Sequence, residues 1–476
     1  MQQLSRCFLL LSVLLNSIVT FAQQPHPIKV ACLGASICAG AGLAHPENES
    51  YPAQLGHKLG ARYRVTNYGV SSTTLLKKGD YPYWNTDQYK AALAAAPDIV
   101  LIDLGGNDSK LVNRIHLDEF VSDYRALIHA FRALPSHPRI LLLQPVVSFV
   151  TDTSQIWDPV ITQRLLPKVQ QVAYEEQVEL VNMNALLKGK PALLPDGIHP
   201  NLEGNTLMAK TLYEVLHTGR DDAYDLIGLL KQDKSISSFY GYRCADFQFA
   251  GHACKVVAPK KPALGHPWVW RARFWGHEPQ ADIALLERGF HVVFCDVAEL
   301  FGNAEAIQVW NRYYAHLHEA GLSTKVVMEG MSRGAVYVYN WAAVNPEKVA
   351  AVYVDNPVLD LCSWPGGAIR RGKGSSEWNQ FKQDYGLASD SVALLFKGSP
   401  LYKTKEIVKG KYPLLHVLAD ADTDVPPAEN TLPFERKIKA LKGNITVMHK
   451  PGFAHHPHSF PDPTPIVDFI LHAVYQ

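Results

Sequence analysis

The stretch KVVMEGMSRGAVYVYNWAAV, residues 325–344, carries the decisive pattern of this chain. Val326, Val327 and Met328 form a short apolar run that reads as a buried strand. Gly334 to Val344 reads as a helix. Gly330, Ser332 and Gly334 stand between the two. Glycine permits the tight strand-to-helix turn that this spacing requires, and such a turn exposes the serine at its apex. A strand, a tight turn with a serine and a helix are the unit of a parallel sheet covered by helices.

A second serine follows a buried strand much earlier, in IKVACLGAS, residues 28–36. From Ile28 onward, short apolar runs alternate with amphipathic stretches. Ile28–Leu33, Tyr63–Tyr68, Asp98–Leu104, Arg139–Pro145 and Glu179–Met183 read as strands, and Leu117–Leu134 and Gln163–Gln177 as helices between them. After a polar connection the alternation resumes. Lys255–Ala258, Trp268–Arg271, His291–Cys295, Val349–Val354, Leu414–Leu418 and Ile445–His449 join Val326–Glu329 as strands. A chain of 476 residues exceeds one ordinary core. The expected fold class is therefore α/β in two domains, residues 28–218 and 239–476, with 219–238 as linker. No internal repeat relates the halves.

The composition is that of a globular protein, with 47% hydrophobic and 19% charged residues. A net charge of +1 gives no basic field for nucleic acid. Arg6, the apolar run Cys7–Val19 and the small-residue site Thr20-Phe21-Ala22 have the pattern of a cleaved export signal, residues 1–22. That reading places the mature chain outside the cytoplasm, periplasmic or secreted, without membrane insertion. Six cysteines follow, and none forms a C-x-x-C metal pair. Cys244 and Cys254 flank a turn between two strands, so the sequence leaves open a disulfide there or buried free thiols.

The first serine has companions. Asn67-Tyr68-Gly69 ends the second strand, Gly105-Gly106-Asn107-Asp108 the third, and Asp196-Gly197-Ile198-His199-Pro200 precedes the last helix. All would fall at the carboxyl edge of one sheet, where α/β folds place ligands. These blocks, in this order from Ile28 to His217, resemble the SGNH (GDSL-type) esterase family. The resemblance implies a flavodoxin-like parallel sheet, with Ser36 as nucleophile, His199 as general base and Asp196 orienting it. It also implies an oxyanion hole from the N–H groups of Ser36 and Gly69 and the Asn107 amide. Ala35 departs from the family, which usually has Asp there. A serine hydroxyl needs such an imidazole to take its proton, and fixed donors then stabilise the oxyanion.

The second serine is followed by Asp420, Asp422 and Asp424 after one strand, and by Pro451 to His458 after the last. The order serine, acid, histidine and the turn around Ser332 resemble the α/β-hydrolase fold over Phe239 to Gln476. That resemblance implies a mostly parallel sheet, with Ser332 as nucleophile, Asp422 as acid and His455 as base, His456 being the alternative. The Arg333 N–H is the expected oxyanion donor, with a second donor from the loop near Ala272. The Ser332-Arg333 pair also resembles glucuronoyl esterases. His449, His455, His456 and His458 raise a zinc reading. The triad already uses one of them, and the expectation is no metal and no cofactor.

Two serine sites on an exported chain point to a decorated polymer. The expected function is a bifunctional carbohydrate esterase acting on ester groups, O-acetyl foremost, of a polysaccharide or oligosaccharide. Alternatives are a uronate methyl or glucuronoyl esterase or a peptidase in the second domain, or one domain acting as a binding module. Trp268, Trp270, Trp275, Trp364 and Trp378 are available by sequence for stacking on sugars. Arg370 and Arg371 form a basic rim suited to an acidic sugar.

Overall fold

The computed structural model describes residues 26–475. The expected export signal lies outside the described residues. Strands β1 (Ile28–Gly34), β2 (Tyr63–Gly69), β3 (Ile99–Asp103), β4 (Arg139–Leu143) and β5 (Glu179–Val181) form one sheet in the order β2-β1-β3-β4-β5. All its pairings are parallel. Its two faces follow from residue parity. Val100, Ile102, Ile140 and Leu142 face a cluster with Phe120, Tyr124 and Phe131. The alternate residues Ile99, Leu101, Leu141 and Leu143 face one with Leu55, Met208 and Leu212. Each apolar run is continuous because helices cover both sides. The order reverses between β1 and β3, so the loops leaving these two strands diverge and open a crevice at their carboxyl ends. Ser36 and Asn107 lie on those two loops.

The second sheet has nine strands, and all seven strands expected in this half belong to it. They are β6 (Lys234–Phe239), β7 (Tyr242–Phe249), β8 (His252–Ala258), β9 (Trp268–Ala272), β10 (His291–Cys295), β11 (Val326–Met331), β12 (Val349–Asp355), β13 (Leu414–Ala419) and β14 (Ile445–Lys450). Their order is β14-β13-β12-β11-β9-β10-β8-β7-β6. Pairing is parallel from β14 to β10 and antiparallel from there to β6. The parallel strands deliver the loops after β9, β11, β12, β13 and β14 to one edge.

Two expectations are corrected here, and one open choice is decided. Residues 219–238 are not a free linker: Leu226, Ile227 and Leu230 are buried in the second core, and Lys234 starts β6. Trp268, Trp270 and Trp378 are core residues at 0–1% exposure and cannot stack on a sugar. Trp270 instead packs on Trp310 at 4.5 Å between ring centroids. The Cys244–Cys254 disulfide is excluded by register. Cys254 lies opposite Phe247, and Cys244 opposite Val257. An offset of three puts the two side chains on opposite faces of the sheet, and both cysteines are free.

The domains are joined by polar contacts. The Arg288 guanidinium donates twice to Glu214, at 2.9 and 2.6 Å. Lys210 pairs with Asp468 at 2.6 Å, and Lys190 with Asp462. The Asn182 N–H donates to Glu287 at 2.7 Å. Among the described residues, no helix is long and apolar enough to cross a membrane.

Candidate active sites

At the first site, β1 runs into a single helical turn, Ser36–Ala39. A Cβ on Gly34 would lie 2.4 Å from the Cys38 side chain, so only glycine lets the chain turn this tightly. His199 Nε2 lies 2.8 Å from Ser36 Oγ, and His199 Nδ1 lies 2.6 Å from Asp196. The Asp196 carboxylate also accepts from the N–H groups of Ile198 at 2.9 Å and His199 at 2.7 Å. Partial burial raises its pKa, but these hydrogen bonds and the imidazole outweigh burial and hold it down at about 2. The loop is anchored by Asn201, whose side chain caps the helix Leu202–His217 through the Gly204 N–H. The site is open: the Asp196 side chain is 55% exposed.

The buried Asn107 amide donates to the Thr73 carbonyl at 3.0 Å, which leaves its second proton free. Asn107 and Ser36 line one small cavity of about 30 Å³, lined also by Pro145, Val146, Val147 and Ile156. Asp103 also lines it, and burial pushes that carboxyl up to about 7. Gly69 does not offer the expected donor, because its N–H is taken by Asn67 Oδ1 at 2.8 Å. Three residues on, Ser72 is held left-handed at φ 68°. Its N–H has no partner among the described residues, and it adjoins the Thr73 that holds Asn107. A serine gives no sequence signal for that backbone, whereas a glycine would.

At the second site, Ser332 adopts φ 48°, a strained conformation for a non-glycine residue. It is held by its N–H to the Asp355 carbonyl at 2.8 Å and by its carbonyl accepting from Val358 at 3.0 Å. Gly334 is required by close approach: a Cβ there would lie 2.5 Å from the Ala272 carbonyl oxygen. His455 Nε2 lies 2.9 Å from Ser332 Oγ, and His455 Nδ1 lies 2.6 Å from Asp422. Asp422 accepts from the N–H groups of Asp424 and Val425, both at 2.9 Å. The Asn356 amide donates to the His455 carbonyl at 2.7 Å and accepts from the Ala419 N–H at 2.7 Å, tying the histidine loop to β13. The other acids do not compete, since Asp420 pairs with His449 at 2.6 Å and Asp424 is exposed. Ser332, Asp422 and His455 are at most 8% exposed, so this site is enclosed where the first is open.

The Arg333 N–H has no partner among the described residues. Its guanidinium packs over Phe301 at 4.3 Å and near Trp364 at 5.8 Å, with a buried Nε left unpaired. After Ala272 the chain turns left-handed at Arg273 and Phe274, the loop expected to add a second donor. Beneath the site, Arg271 is buried between Asp282 and Glu329, the latter at 3.0 Å. Arg370 and Arg371 are exposed. Arg370 is held by Glu429 at 2.7 Å, so it is not the free carboxylate anchor expected from sequence.

Residues 32–207 match the GDSL-like Lipase/Acylhydrolase family. The acetylxylan esterase of Xylanibacter ruminicola is 39% identical over 209 residues. That match spans 40% of this chain and 43% of the relative, under half of the relative's length. A carbohydrate acetylesterase family member from Sinorhizobium meliloti is similar in structure at TM-score 0.33 and 19% identity, over 40% of this chain and 97% of that one. Est1E from Butyrivibrio proteoclasticus is similar at TM-score 0.35 and 16% identity, over 51% of this chain and 99% of that one.

Proposed function

We propose that the chain is an exported carbohydrate esterase with two Ser-His-Asp sites. Ser36 removes O-acetyl groups from a xylan-type polysaccharide, and Ser332 cleaves a second ester of the same substrate. The observation that supports the first activity best is the Ser36–His199–Asp196 geometry, in the half of the chain that resembles an acetylxylan esterase. His199 takes the Ser36 proton as Oγ attacks the acetyl carbonyl. The oxyanion is met by the N–H groups of Ser36 and Ser72 and the free Asn107 proton. Collapse expels the sugar hydroxyl, which receives the proton from His199, and water then releases acetate by the same steps in reverse order. The small cavity beside Ser36 and Asn107 suits a short acyl group such as acetyl. The half-exposed Asp196 marks a site that a polymer can reach.

At Ser332, the buried Arg333 guanidinium with its unpaired Nε favours a second reading, an ester of a uronate. The scissile carboxyl of such an ester is neutral, so a cation beside Ser332 acts on the oxyanion formed at its carbonyl, and anchors a carboxylate only on a neighbouring free-acid sugar. Peptide cleavage is the competing outcome. The deciding experiment measures acetate, methanol and peptide release by wild type, Ser36→Ala and Ser332→Ala on acetylated xylan, methyl-esterified uronates and short peptides. Each substitution should abolish one activity by several orders of magnitude and leave the other. Loss of every activity in either variant refutes two independent sites. Peptide release that depends on Ser332 makes the second domain a peptidase.

A further inference from the structure

Three imidazoles outside both triads converge beside the second one, with His456 and His458 at 4.9 and 5.0 Å from His455 between ring centroids. Their candidate ligand nitrogens, from His277, His456 and His458, all lie within 4.8 Å of one another. No other such group of three stands among the described residues. The cluster joins two elements remote in sequence. His277 sits on the loop after β9, and His456 and His458 follow β14. His458 is oriented from behind: its Nδ1 meets the buried Asp355 carboxylate at 2.9 Å, which leaves Nε2 toward the cluster. A carboxylate behind an imidazole is the arrangement that fixes a histidine's tautomer for metal binding. The rings meet edge to face, with centroids of His456 and His458 at 4.8 Å and of His277 at 5.8 Å from each.

We propose that His277, His456 and His458 bind one zinc-class divalent cation that clamps the His455 loop to the loop after β9. Imidazole nitrogen suits zinc and its neighbours rather than calcium or magnesium, which require oxygen. Zinc holds imidazole nitrogens at about 2.0–2.1 Å. Ligands at that distance crowd more closely than 4.8 Å, so binding draws the two loops together. Three protein ligands leave a fourth position for water or a substrate oxygen. The ion does not replace the triad, because His455 already bridges Ser332 and Asp422.

The test uses the full chain, stripped with a chelator and dialysed, and zinc chloride alone as the probe. Calorimetry and elemental analysis should find one zinc per chain, with a rise in the unfolding temperature. Bound cobalt should show the visible absorption of a tetrahedral site. His277→Ala and His456→Ala replace exposed side chains and should each weaken zinc by about tenfold to a hundredfold. Ester hydrolysis at Ser36 serves as the folding control and should be unchanged in both. Zinc binding is read without reference to either activity, so it stands or falls apart from the esterase reading. Absence of stoichiometric zinc at concentrations up to about 10 μM would overturn the proposal. So would unaltered binding in both variants, which places the ion elsewhere.

Discussion

Glu287→Gln should stabilise the protein above neutral pH and do little below about pH 4. Glu287 is buried at 7% exposure where the domains meet, and accepts from the Asn182 N–H at 2.7 Å. Burial pushes its carboxyl up to about 7, against the pull of Arg288 and that N–H. An unfolded glutamate titrates near 4.3. Between these values the folded protein binds the proton more tightly than the unfolded chain does. Stability from this group is therefore full below about pH 4.3, falls as pH rises, and levels off above about pH 7. The difference corresponds to about 4 kcal/mol. Glutamine keeps the acceptor for Asn182 and carries no charge. Arg288 retains its two hydrogen bonds to Glu214. Urea unfolding of both proteins across a pH series should give midpoints that coincide in acid and diverge through neutrality, the variant being the more stable. A gap independent of pH, or a variant less stable above neutrality, would refute the reasoning.

Arg271→Met leaves Asp282 and Glu329 buried together without their cation. It should cost about 3–5 kcal/mol in denaturant unfolding, and unchanged stability would show that the network contributes nothing. Hydrolysis at both serines should survive exhaustive chelation, since each nucleophile arises by proton transfer to an imidazole. Loss of Ser36 turnover on chelation would refute this, whereas a zinc-dependent change confined to Ser332 fits a clamp on the His455 loop. The cavity at Ser36 should discriminate acetyl from butyryl esters by at least tenfold, as each added methylene is worth about 1–3 kcal/mol. Val147→Ala should narrow that ratio, and equal rates on both esters in wild type would place the acyl group elsewhere.

Both sheets were legible because their central strands are buried on two sides and read as continuous apolar runs. IKVACLG and VVMEGM are examples. The strand β6 was missed for the opposite reason. Four consecutive residues of β6, Ser235 to Ser238, are exposed, so the strand has no apolar face to announce it. The candidate triads were legible because a parallel sheet brings strand ends to one edge however far apart they lie in sequence. What spacing does not decide is which of several like residues on one loop turns inward. Asp420, Asp422 and Asp424 alternate along one short segment and are equivalent by type. The choice is made by local hydrogen bonds. His449, on the neighbouring strand, takes Asp420. The N–H groups of Asp424 and Val425 both turn onto Asp422 and fix its carboxylate beneath His455. The same kind of contact removed Gly69 from the oxyanion hole, through Asn67, and Arg370 from the rim, through Glu429. The cluster of His277 with His456 and His458 escaped for a topological reason. Its members leave β9 and β14, which are not neighbours in the sheet, and only the turns after those strands bring them together.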